Sequence, residues 1–177
     1  QLVENLSRLG AVEAGRLLEP LRGPVWNYRR RARLGIKLVP RKGKVLVGFR
    51  ERSSPYVADL DQCHVLVEPV GALITPLGQM VEGLTIASRV PQAEVAVSDD
   101  VVALVLRVLD PPTPADLEHM AAFERAHAVR IYLQPGGPAT IAPLDPAHPP
   151  APLRYRLAGH DVTIEFEPTD FVQINGA

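Results

Sequence analysis

The 177-residue sequence predicts an α+β domain: a mostly antiparallel sheet with helices packed against it. Two pairs of alternating segments, 31–39 with 44–50 and 94–97 with 101–109, double back across short polar connections. Two helical patterns, 70–84 and 113–127, fall between groups of strands, whereas a doubly wound sheet would alternate them with single strands.

In chain order, Leu2, Leu6 and Leu9 are spaced for one helical face, with Gly10 as the expected C-cap. No capping residue precedes Gln1, so this helix is expected to have been cut from a longer chain. Pro20, Gly23 and Pro24 mark a loop leading to Trp26. Within 31–39, Ala32, Leu34, Ile36 and Leu38 share one face of a strand, and Arg31, Arg33 and Lys37 share the other. Residues 40–43 have turn composition. Val45, Val47 and Phe49 then lie opposite Lys44 and Arg50, which completes a hairpin with one apolar and one basic face.

A short extended segment is expected at 56–60. The 70–84 helix would pack through Leu73, Ile74, Leu77, Met80, Val81 and Leu84, weakened by Pro76 and Gly78. Ser98-Asp99-Asp100 forms an acidic turn between two strands. Thr113 is a good N-cap, with Pro114 at the first helical position and Asp116 in the first turn; Leu117, Met120, Ala121 and Phe123 are the expected buried face. A strand at 129–133 and proline-rich loops at 135–138 and 143–152 follow. A last strand pair, 153–157 and 162–167, closes through Ala158-Gly159-His160. Residues 168–175 alternate as a further strand would, with Phe171 and Gln173 on one face and Val172 and Ile174 on the other.

A hydrophobic content of 46 % with 22 % charged residues is that of a globular chain. Apolar runs are too short to span a bilayer, and no secretory pattern opens the sequence. One cysteine cannot form an internal disulfide, which fits a reducing compartment, so a cytoplasmic location is expected. The net charge of -1 conceals a strong segregation. Residues 29–52 hold ten basic residues against one acidic, a local +9; the other 9 basic and 19 acidic residues leave the remainder at -10. A cationic stretch on an acidic body suits a polyanionic partner.

The residues that often carry chemistry form no complete active site. Cys63 is alone, and no C-x-x-C pair exists. His64, His119, His127, His148 and His160 lack metal-ligand spacing, and His119 and His127 read as helix-surface residues. Ser53-Ser54 has no nucleophile-elbow context, and Gly136-Gly137 does not open a helix. Neither a G-x-G-x-x-G nor a P-loop is present. An aromatic beside an amide, as in Phe171 and Gln173, suits a displaced base, the ring stacking while the amide reads an edge or holds a ligand.

Three segments in one order and spacing carry a resemblance: Tyr28-Arg-Arg-Arg-Ala-Arg-Leu34; Val47-Gly-Phe-Arg-Glu-Arg-Ser-Ser54 with Ala58-Asp-Leu-Asp-Gln-Cys63; and Pro168-Thr-Asp-Phe-Val-Gln-Ile-Asn175. The chain resembles the central part of bacterial 23S rRNA (uracil-5-)-methyltransferases, over essentially its whole length and least in the proline-rich loops. The resemblance implies a parent with a TRAM domain, a [4Fe–4S] cluster, a central domain and an S-adenosylmethionine-dependent methyltransferase domain. That domain would methylate C5 of a uracil through a cysteine nucleophile.

The same resemblance makes Cys63 the last of four cluster ligands and Gln173 a contact to S-adenosylmethionine. It places Phe171 near the target base and turns Arg33, with Arg29 and Arg31, towards RNA. It implies a division into a helix and linker (1–24), a central RNA-facing domain (25–167) and the start of the methyltransferase domain (168–177). The nucleophile, the acid and the glycine-rich cofactor loop have no counterpart here, so catalytic residues are expected to be absent and neither cofactor to be held by this chain alone. The partner implied is 23S rRNA, with no membrane and no obligate protein partner. Two alternatives remain at this point, a tRNA-directed relative and a non-catalytic RNA-binding module; Cys63 weighs against the first.

Overall fold

The alternating segments pair as their patterns require. In the computed structural model, which describes residues 1–176, a six-stranded sheet is built from β1 (Arg31–Val39), β2 (Lys44–Gly48), β3 (Gln92–Val97), β4 (Val102–Arg107), β5 (Val129–Gln134) and β6 (Ala142–Pro143), in the order β2-β1-β3-β4-β5-β6. Every pairing is antiparallel except β4 with β5, which are joined by the helix that connects them. A parallel pair needs such a crossover because its strand ends lie at opposite edges. The fold class is therefore α+β with a mostly antiparallel sheet, as expected.

β1 serves two neighbours. Its first half pairs with β3 (Arg31 opposite Ala96, Arg33 opposite Glu94) and its second half with β2 (Ile36 opposite Val47, Val39 opposite Lys44). Gly43 closes the hairpin in the left-handed region at φ 62°, where a side chain would be strained, and its N–H donates to Pro40 O at 3.1 Å.

Two helices cover one face of the sheet. α2 (Ile74–Glu82) lies across β2, and Gly78 permits this: a Cβ there would come within 3.0 Å of Val45 O. α3 (Pro114–His127) connects β4 to β5. Between helices and sheet, Leu34, Leu66, Ile74, Leu77, Val81, Leu104, Leu106, Met120 and Ile131 are fully buried. Each such side chain contributes about 1.5–3 kcal/mol of transfer free energy.

The other face is half covered. The hairpin β7 (Leu153–Leu157) with β8 (Val162–Phe166) lays Leu153 and Phe166 on Ala96, Ala103, Val105 and Tyr132. The acidic turn clamps it there. Asp99 N–H donates to Arg154 O (2.9 Å), the Asp99 carboxylate accepts from Arg156 N–H (2.8 Å), and Asp100 pairs with Arg154 at 2.8 Å.

Four expectations change at this level. The first helix, α1 (Leu2–Gly10), includes Gly10; its left-handed C-cap is Ala11 (φ 51°). Residues 56–60 form no strand, only a bridge between Arg50 and Val57. Val70–Leu73 is a 3-10 turn before α2. Residues 168–176 do not extend the sheet. Pro168 has no N–H to donate, a turn from Glu167 to Asp170 redirects the chain (Asp170 N–H to Glu167 O, 2.9 Å), and only Asn175 forms a bridge, with Arg29.

Candidate nucleic-acid interface

Proximity in sequence does not give the ten cations of 29–52 a common environment. Arg29 donates from Nε to Arg31 O (2.9 Å), and its guanidinium lies over the Phe49 ring at 5.4 Å, a cation–π arrangement. Arg30 pairs with Asp99 at 3.1 Å. Arg31 and Arg33 flank Glu94, whose side chain is only 14 % exposed: Arg33 at 2.8 Å, Arg31 at 4.0 Å. Burial draws the Arg31 guanidinium below its ordinary value, against the attraction of Glu94 and Asp170, and its Nη1 is buried without a hydrogen-bond partner. Arg33 remains 69 % exposed. Lys42 and Lys44 converge on Asp59 at 2.6 and 2.7 Å; their hydrogen bonds hold Asp59 below the usual carboxylate range and Lys44 above its own.

Four cations remain. Lys37, Arg41, Arg50 and Arg52 are exposed and form no ion pair among the described residues. The loop carrying Arg50 and Arg52 is seated by two glycines paired across β1 and β2, Gly35 and Gly48. A Cβ on Gly48 would stand 2.5 Å from Ala58 O, and one on Gly35 2.8 Å from Val57 Cγ2, so the segment after the loop lies directly on the sheet. The loop then orders itself: Glu51 N–H donates to Tyr56 O and Tyr56 N–H to Ser54 Oγ, both at 3.0 Å. Tyr56 is left 64 % exposed.

The tail offers a second surface. Phe171 is 86 % exposed, while Val172 packs on the cluster under β7 and β8. Gln173 is exposed on the rim of a hollow of about 380 Å³ that also involves Arg30, Asp99, Tyr155, Arg156 and Asn175. Arg30 N–H donates to Ile174 O at 2.8 Å, tying this tail to the chain entering β1. The basic strand and the Phe171–Gln173 motif are thus neighbours, although about 140 residues separate them in sequence.

Cys63 stands apart from both surfaces. It is a free, buried thiol in the main apolar cluster, with its N–H on Gly71 O at 3.0 Å. No group of three His, Cys, Asp or Glu able to hold a metal occurs among the described residues. One thiolate is only one of the four ligands such a cluster needs, so these residues provide at most a single ligand. Nor does Gln173, as one exposed amide, make a nucleotide site. Sequence reasoning missed Glu94, Asp59, Asp99 and Tyr155. Strand alternation did carry a signal for Glu94, since it sits at a basic strand's partner position, but the pairing of β1 with β3 was needed to read it.

No family model matches the chain. Its fold is shared with part of a solved RNA-modifying enzyme, the Pyrococcus abyssi tRNA (uracil-54, C5)-methyltransferase in complex with S-adenosyl-L-homocysteine. The TM-score is 0.64 at 18 % identity, over 98 % of this chain and 43 % of that one. Sequence leads to a narrower group. The chain is 50 % identical over 176 residues to the 23S rRNA (uracil(1939)-C(5))-methyltransferase RlmD of Alkalilimnicola ehrlichii, covering 98 % of this chain and 39 % of that protein. Proteins of the same name from Aromatoleum aromaticum (46 %) and Cupriavidus necator (47 %) are similar over 174 residues. These are homologues across nearly the whole of this chain, as the three segments implied, and the chain spans about two fifths of their length.

Proposed function

We propose that this chain is the RNA-positioning portion of an enzyme that methylates C5 of a uracil in 23S rRNA. The observation that carries the reading is identity of 45–50 % to rRNA uracil-C5 methyltransferases over 98 % of the chain. The local +9 of residues 29–52 supports an RNA-facing role. The tRNA-directed alternative rests on a likeness of fold at 18 % identity.

Residues 25–167 then form the central domain, 1–24 a helix and linker leading into it, and 168–177 the approach to a methyltransferase domain. Arg33, with Arg29 and Arg31 behind it, faces RNA, and Phe171 lies near the target base. S-adenosylmethionine, when bound in the whole enzyme, would supply the methyl group, and Gln173 would be one of the residues that hold it. Cys63 is one of four cluster thiolates, the other three coming from elsewhere in the parent. The nucleophile is not among these residues, so the chain alone is inactive. The reaction belongs to the cytoplasm, where ribosomal RNA is handled.

Filter binding of the chain to a 23S rRNA fragment at several salt concentrations tests the role. Binding that weakens steeply with salt is expected; salt-independent binding, or none, would reject it. Transfer of a radioactive methyl group to RNA by the chain alone, or a preparation with visible iron–sulfur absorbance, would overturn the division of labour.

A further inference from the structure

Resting on the RNA-facing role just proposed, we infer that unpaired RNA is held by Lys37 and the 50–56 loop, with Tyr56 as a stacking platform, more than by the arginines of 29–33. The strongest sequence cluster of cations is mostly spent inside the protein. Arg29 is on Phe49, Arg30 is on Asp99, and Arg31 and Arg33 share Glu94. A phosphate approaching Arg30, Arg31 or Arg33 must compete with a carboxylate already in place, and Arg29 is held against the Phe49 ring. Lys42 and Lys44 are likewise balanced by Asp59.

Among the described residues Lys37, Arg50 and Arg52 face no such competitor, and the fold brings the first two together. Arg50 Cγ lies 3.4 Å from where a Cβ on Gly35 would stand, and Lys37 is two residues further along the same face of β1, about 6.6 Å. Arg41 extends the series towards the hairpin turn. Arg52 precedes Ser53, which holds the left-handed region (φ 57°) at the loop tip. Glu51 is the loop's only carboxylate and accepts from Ser54 Oγ at 3.5 Å.

An exposed ring on a hydrogen-bonded loop among unpaired cations is suited to stacking a base whose phosphates the cations hold. The bases of a duplex are already stacked on one another and do not offer their faces. The surface therefore selects single strands or loops over helical RNA.

Fluorescence anisotropy of the 177-residue chain with labelled unpaired and duplex RNA, over a salt series, tests this. All the altered side chains are exposed, and an unchanged melting temperature checks that the variants fold. Combined Lys37→Ala, Arg50→Ala and Arg52→Ala should lower the salt slope for unpaired RNA by about 2, at roughly 0.7 per cation lost. Arg33→Ala alone should lower it by well under 0.7, because Glu94 already balances that charge. Tyr56→Ala should weaken unpaired RNA by about 5- to 150-fold and leave duplex binding unchanged, with Tyr56→Phe restoring affinity. Wild-type binding with an unaltered slope in the triple variant, or equal losses on both RNAs in Tyr56→Ala, would overturn this inference alone. A wild-type chain that binds neither RNA would instead overturn the RNA-facing role beneath it.

Discussion

Asp116 shows how much one buried carboxylate can organise. It accepts from Thr85 N–H (2.7 Å), Thr85 Oγ1 (2.6 Å), Thr113 N–H (2.9 Å) and Thr113 Oγ1 (2.8 Å), and returns its own N–H to Thr113 Oγ1 at 3.2 Å. Burial on its own would raise its pKa, but the four donors outweigh burial and bring it down from 3.8 to about 2. Because the folded value lies below the unfolded one, the stabilisation is present in full above about pH 4 and is lost as pH falls through about 2. It amounts to roughly 2 kcal/mol. Urea titrations at pH 7 and pH 3 should show the wild type losing stability that Asp116→Asn does not lose. At neutral pH that variant should be about 2 kcal/mol weaker, since an amide cannot accept from all four donors. An N-cap at Thr113 was legible in the sequence; the reach from Asp116 to Thr85 was not, because 31 residues separate the partners.

Among elements, the β1–β2 hairpin was the most legible in advance. Its apolar residues alternate along β1, its turn has the right composition, and Ala32, Leu34 and Ile36 are buried with Val45 and Val47 as that pattern requires, although Leu46 on the opposite face is buried too. The pattern was silent on Gly35 and Gly48, which look like weak points in strands and are where the following segment rests. Gly48→Ala would drive a methyl group into the Ala58 carbonyl, and backbone cannot swing aside as a side chain can. A loss of about 1–3 kcal/mol is expected in a denaturant titration. Unchanged stability would mean that 57–58 is not seated on the sheet. The tail shows the opposite failure. Residues 168–175 alternate well enough to suggest a strand, yet Pro168 and the turn at Glu167–Asp170 deny them a neighbouring edge.

At the scale of the molecule, the two ends of the chain contribute unequally. No residue of 1–24 is buried, and α1 leaves Leu2, Val3 and Leu9 exposed. A chain beginning at Val25 should unfold within about 0.5 kcal/mol of the full chain. Removing 168–177 should cost more, about 2 kcal/mol, because Pro168 is buried and Val172 covers the cluster of Ala96, Ala103 and Phe166. Parallel thermal melts of the two truncations would test this asymmetry, and equal stabilities would refute it. Similarity to about two fifths of a longer enzyme gives the asymmetry a context, since a surface exposed in this chain need not be exposed in a larger protein.

The sequence by itself determined the fold class, the hairpin and its basic face, the capped helix and the likeness to rRNA uracil-C5 methyltransferases. All of these follow from local periodicity, turn chemistry and short motifs, which a linear reading contains. Only the tertiary structure decided which cations are spent and which are free. An ion pair between Arg33 and Glu94, or between Lys42 and Asp59, depends on which strands and loops meet, and Coulomb attraction falls with distance in space, whatever the separation along the chain.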